Sequence, residues 1–121
     1  MQLQINTDQS LKVHESEASQ LRQIVESSLG RFEEYITRVE MHLSDENANK
    51  GGQDDKRCVL EARLEGYKPV AVSHVAGSLT LAVEGAAGKL ARSIDSDVGR
   101  RTAVRRHRTD PVPGETEVKP E

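Results

Sequence analysis

SLTLAVEGAAGKLARSIDSDVGRRTAVRRHR, residues 78–108, begins as one kind of segment and ends as another. In its first half Leu79, Val83, Ala86, Leu90 and Ile94 recur at spacings of three and four, which stacks them on one face of a helix. Ser78 stands where a helix wants a capping oxygen. The second half gathers cations: Lys89, Arg92, Arg100, Arg101, Arg105, Arg106 and Arg108, against only Asp95 and Asp97. Residues 86–108 thus carry seven basic side chains and two acidic ones, in a chain whose net charge is −3. A helix with one apolar stripe needs a surface to cover, and a positive end in an acidic chain asks for an anionic partner.

The surface comes from the residues upstream. From about Lys56 to Glu65, Cys58, Leu60, Ala62 and Leu64 alternate with Arg57, Glu61, Arg63 and Glu65, the period of a strand with one buried face. Gly66, Tyr67, Lys68 and Pro69 make a tight turn into a further strand, Val70 to about Val75. From about Ile36 to Leu43, Val39, Met41 and Leu43 face one way, while Arg38, Glu40 and His42 face the other. The polar stretch DENANKGGQDD that follows predicts a mobile hairpin connection. Further back, a helix is predicted from about Ser16. Its stripe is Leu21, Val25, Ser28, Leu29 and Phe32, with Ile24 and Tyr35 beside it, and Gly30 weakens the helix without having to break it. The outward side chains of this helix are more acidic than basic. The opening MQLQINT alternates as a short strand.

The element order is therefore β-α-β-β-β-α, an α+β domain. Three strands joined by short connections form an antiparallel meander, and two striped helices are buried most economically on one face of a four-stranded sheet. If the first two strands lie parallel, the first helix is a right-handed crossover. Residues 1–98 form the domain, 99–108 a basic helix extension, and 109–121 a disordered, acidic, proline-containing tail.

A chain of 121 residues allows one small domain, and with 35% hydrophobic residues and no Trp its core must be aliphatic. The single Cys58 excludes an internal disulfide and, on an inward strand position, reads as a packing residue. No signal segment opens the chain, and no apolar run nears the roughly 18 residues of a membrane span, so a cytoplasmic location without membrane association is expected. There is no CxxC, HExxH, phosphate-binding glycine loop or strand-bounded GxGxxG. His14, His42, His74 and His107 show no ligand spacing. No catalytic residue, metal, cofactor or small-molecule substrate is expected. Gly85 and Gly88, inside the apolar helical pattern, read as points of close helix-to-sheet approach.

The basic end remains as the functional signal. On a helix, Lys89, Arg92, Ser96 and Arg100 follow one flank, and Arg101, Arg105 and Arg108 a neighbouring one. Guanidinium groups meet phosphate oxygens bidentately, and several such contacts give salt-sensitive affinity for a nucleic-acid backbone. A solvated helix end whose cations complement the helix dipole is the plainer alternative.

Residues 1 to about 101 resemble the ribosome hibernation promoting factor family, also described as ribosome-associated inhibitors or sigma-54 modulation proteins. The resemblance rests on MQLQINT, RFEEYITRVEMHLSDEN, KRCVLEARLEG, PVAVSH and SLTLAVEGAAGKLARSI, in that order, with Lys89, Leu90, Ala91 and Arg92 as the helix signature. It implies the same β-α-β-β-β-α domain, binding rRNA of the small ribosomal subunit where messenger and transfer RNA pass. Translation would then be suppressed by occlusion when growth stops. Carried over residue by residue, Lys89 and Arg92 match basic positions of the second helix. Arg31 and Arg38 match positions near the first helix end and second strand, and Arg100 and Arg101 the basic helix end; Arg105 extends that end. The resemblance is to the short form, without the long form's additional dimerisation domain. The first helix departs from the pattern, being acidic where better-known members carry lysines. A stress-related protein-interaction module that keeps the fold without binding ribosomes is thus the competing reading, with an enzyme ranked last.

Overall fold

The computed structural model describes residues 1–9, 11–46 and 55–109, with side chains described through residue 99. The connection within 47–54, the tail from residue 110 onward and the side chains of Arg100, Arg101 and Arg105 lie outside the described residues. The elements are β1 (Gln2–Thr7), α1 (Glu15–Leu29), a 3-10 turn (Gly30–Phe32), β2 (Ile36–Asp45), β3 (Lys56–Leu64), β4 (Val70–Ala76) and α2 (Leu79–Thr109). The expected β-α-β-β-β-α order is the observed one.

The sheet order is β1-β2-β3-β4. β1 and β2 pair in parallel, from Gln2 opposite Arg38 to Thr7 opposite Leu43. β2, β3 and β4 form the antiparallel meander that the short connections required. Gly66 makes the β3–β4 turn at φ 81°, a left-handed conformation that costs glycine nothing.

One sheet face and two helix stripes close on one core. From the sheet come Val39, Met41, Leu43, Cys58, Leu60, Ala62 and Leu64, the inward sets predicted by alternation. Ile36 is also buried, although it has the opposite parity to Val39. A bulge reconciles the two: Ile36 faces Leu64 and Arg38 faces Arg63, so Thr37 is the extra residue, and its hydroxyl donates to the Arg63 carbonyl over 3.1 Å. Each buried aliphatic side chain contributes about 1.5–3 kcal/mol relative to exposure.

In α1, Leu21, Val25 and Leu29 are buried as the stripe predicts. The α-helix stops at Leu29, however, rather than running on through Gly30. With no side chain to pack, Gly30 starts a tighter 3-10 turn, and the change of pitch carries Phe32 into the core at 5% exposure.

α2 starts as its cap predicts: the Leu81 N–H donates to Ser78 Oγ over 3.2 Å. Its buried side is wider than one stripe. Ala82, Ala87 and Val98 join Leu79, Val83, Ala86, Leu90 and Ile94, because α2 packs on β3, β4 and α1 together. Val98 is the last buried residue among those whose side chains are described, yet the helical backbone continues to Thr109. Gly99 does not end the helix.

Two side chains fasten the helices to the outer strands. Arg22 of α1 donates to the Leu3 carbonyl of β1 over 2.7 Å, and Lys89 of α2 donates to the Ser73 carbonyl of β4 over 2.9 Å. No helix among the described residues is long and apolar enough to cross a membrane.

Candidate nucleic-acid interface

Lys89 and Arg92 lie one turn apart on α2, and both are exposed. The Lys89 ammonium, with three donors, gives one to the Ser73 carbonyl. The Arg92 guanidinium lies back along its own helix, with Nη1 3.5 Å from where a Cβ on Gly88 would sit. From this pair the helix axis leads directly into Gly99–Thr109, the part that carries Arg100, Arg101 and Arg105. At 1.5 Å per residue the extension reaches about 16 Å beyond Val98.

The other two predicted cations sit elsewhere. Arg31, in the 3-10 turn after α1, stacks over the Phe32 ring, its guanidinium carbon 4.6 Å from the ring centre. Arg38 lies on the sheet face turned away from the helices. There it pairs with Glu40 over 3.1 Å and also donates to the Gln4 side chain. Its charge is therefore offset, and the strand pairing sets it opposite Arg63. The structure thus groups Lys89 with Arg92 and leaves Arg31 and Arg38 apart from them. Arg22, the strand fastener described above, is a further cation of α1 already engaged with the sheet; its spacing in α1 carries no sign of that.

The exposed side of α1 and the turn after it is acidic, with Glu15, Glu26, Glu33 and Glu34 all exposed. On the outer sheet face, Arg57 approaches Glu46 at 3.9 Å, a loose surface pair worth little by itself. Tyr35 and Tyr67 meet edge to face, ring centres 6.2 Å apart, and join the turn after α1 to the β3–β4 turn.

Cys58 is fully buried on β3, and loss of solvation pushes its thiol from 9.0 up to about 12. A protonated, enclosed thiol is a poor nucleophile. We expect native protein at pH 8 to resist iodoacetamide, with mass spectrometry showing modification only after unfolding. Rapid native labelling would contradict this burial. Between pH 9 and about 12 only the unfolded chain gives up this proton, so its linkage lowers stability as pH rises through that window.

The family model for sigma 54 modulation protein / S30EA ribosomal protein matches residues 11–102. The chain belongs to that family. Its members are non-catalytic ribosomal factors, and the family places this chain among ribosome-associated proteins. Two solved structures share the fold. One is the N-terminal domain of Thermus thermophilus Protein Y, at TM-score 0.57 and 19% identity over 78% of this chain and 96% of that one. The other is a ribosomal subunit interface protein from Coxiella burnetii, at TM-score 0.60 and 15% identity over 78% of this chain and 94% of that one. No curated protein matches the chain significantly. The family match covers α2 as far as Thr102, so Lys89, Arg92, Arg100 and Arg101 fall within it and Arg105 just beyond.

Proposed function

We propose that this member of the S30EA family binds rRNA of the small ribosomal subunit and suppresses translation under stress or in stationary phase, by occupying the RNA path rather than by catalysis. One observation carries the reading: α2 continues as a helix from Gly99 to Thr109, beyond Val98, the last buried residue among those whose side chains are described, and in line with Lys89 and Arg92. Its arginines would meet a phosphate backbone. Lys89 and Arg92 contact phosphates at the base of the extension, and Arg100, Arg101 and Arg105 along it. Arg31 and Arg38 contribute less, being held by Phe32 and by Glu40 and Gln4. The protein acts in the cytoplasm, where ribosomes are, and needs no cofactor or small-molecule substrate.

The acidic side of α1 favours a second reading, a protein-interaction module that keeps the fold without ribosome binding. Sedimentation with purified small subunits separates the two. At about 50 mM monovalent salt the wild type is expected to pellet with subunits, and at about 300 mM to be largely released, because several phosphate contacts lose affinity by orders of magnitude over such a range. Arg92→Ala combined with Arg100→Ala and Arg101→Ala is expected to abolish pelleting at the lower salt. If the wild type stays in the supernatant, the ribosome reading fails. Loss of another partner on charge reversal at Glu26, Glu33 and Glu34 would then establish the second.

A further inference from the structure

We propose that the outer face of the sheet carries a binding site for a divalent transition-metal ion of the zinc class, formed by Glu40, His42 and Glu61. The backbone puts these side chains together. Glu40 and His42 are two apart on β2 and rise from the same face, and Glu61 on β3 is directly opposite Glu40. One ligand atom from each lies within 4.8 Å of the others. His42 Nε2 is already 3.3 Å from Glu40 Oε1. A tetrahedral ion with bonds of about 2.0–2.2 Å holds its donors about 3.3 Å apart, so that pair is at ligand spacing and only Glu61 has to close in.

The surroundings support a cation here. Two carboxylates directly across a strand pair repel each other. Arg38 does not remove the conflict. It holds Oε2 of Glu40 at 3.1 Å, and its other partner is the Gln4 side chain, so Oε1 is left turned to His42. This is the orientation an outer hydrogen-bonding partner gives a metal-bound carboxylate. Glu61 has no ion-pair partner among the described residues. A doubly charged ion between Glu40 and Glu61 satisfies both. One imidazole nitrogen and carboxylate oxygens suit zinc better than copper(I), which wants sulfur, or calcium, which wants six or more oxygens.

The site is independent of the ribosome reading and on the opposite side of the sheet from α2. The test is isothermal titration of the full-length, untagged chain with zinc chloride in a non-chelating buffer. The expected result is one saturable site per chain. Its affinity falls about tenfold or more in His42→Ala and in Glu61→Gln, and it is unchanged in His14→Ala, a control at the exposed start of α1. Zinc should also raise the melting temperature of the wild type, and raise that of Glu61→Gln less at the same concentration, since only a folded site binds. All these side chains lie outside the core, so folding of the variants is checked by their melting curves without metal. A wild type with no saturable site, or a His42→Ala variant that binds zinc as tightly as wild type, overturns the proposal.

Discussion

Adding one methyl group at Gly85 is expected to destabilise the domain by about 1–2 kcal/mol, and adding one at Gly88 to stabilise it by up to about 1 kcal/mol. In an isolated helix both changes would favour folding, because alanine is the better helix former. The difference lies in what each glycine faces. A Cβ at Gly85 would fall onto the imidazole of His74, 2.6 Å from Cγ and closer still to Cδ2 and Nε2. His74 is half-buried on β4, opposite Cys58, so its ring fills the space where α2 crosses the edge of the sheet. At Gly88 the nearest atom is Arg92 Nη1, at an ordinary 3.5 Å. Urea midpoints of Gly85→Ala and Gly88→Ala should therefore move in opposite directions. With His74→Ala already present, Gly85→Ala should cost little or even help, a non-additivity that marks direct contact. Equal shifts for the two glycines would show that the helix does not approach the sheet as closely as described.

Leu60→Ala is expected to cost about 3 kcal/mol, within the 2–5 kcal/mol usual for truncating a fully enclosed leucine. Leu60 is 0% exposed, on the inner strand β3, between Met41 and Val72 in the register and beneath α2. Its neighbours belong to three different elements, so they cannot collapse into the gap together. Since a domain of this kind has about 5–15 kcal/mol in total, the variant loses a large share of its margin. Leu81→Ala is the matched control: Leu81 is 55% exposed, and its removal should stay within about 0.5 kcal/mol. Chemical denaturation of the two variants side by side decides the matter. Similar losses would mean that the core is not centred on the sheet face described.

Much of the fold is legible in the sequence. Period-two alternation at 39–43 and 58–64 named the inner face residue by residue, and the 79–94 stripe named the main contacts of α2. What alternation cannot supply is which residue faces which. The bulge at Thr37 is invisible to it, because the bulge's whole effect is to change parity within one strand. The same gap hid the sheet-face cluster: Glu40 and His42 are close in sequence, but Glu61 becomes their neighbour only through the β2–β3 register. The basic candidates divide along similar lines. Lys89 and Arg92 were joined by helical spacing, a local property. Arg31 and Arg38 entered through family resemblance, and their partners, Phe32, Gln4 and Glu40, were fixed by tertiary placement. The width of α2's buried side was also out of reach, since a one-stripe reading assumes one covering layer and α2 has two.

The hydrogen bonds from Arg22 to Leu3 and from Lys89 to Ser73 bear on how copies of this protein behave when crowded. An open four-stranded sheet has two edges, and each offers unpaired backbone groups to any extended chain that comes near. Here a charged side chain from each helix already occupies a carbonyl on the outermost strand at either end. A strand that paired at either of these carbonyls would have to displace an arginine or a lysine there. Each outermost strand is thus held at one carbonyl by a charged side chain of its own domain, a contact that pairing by another strand at that point would disturb.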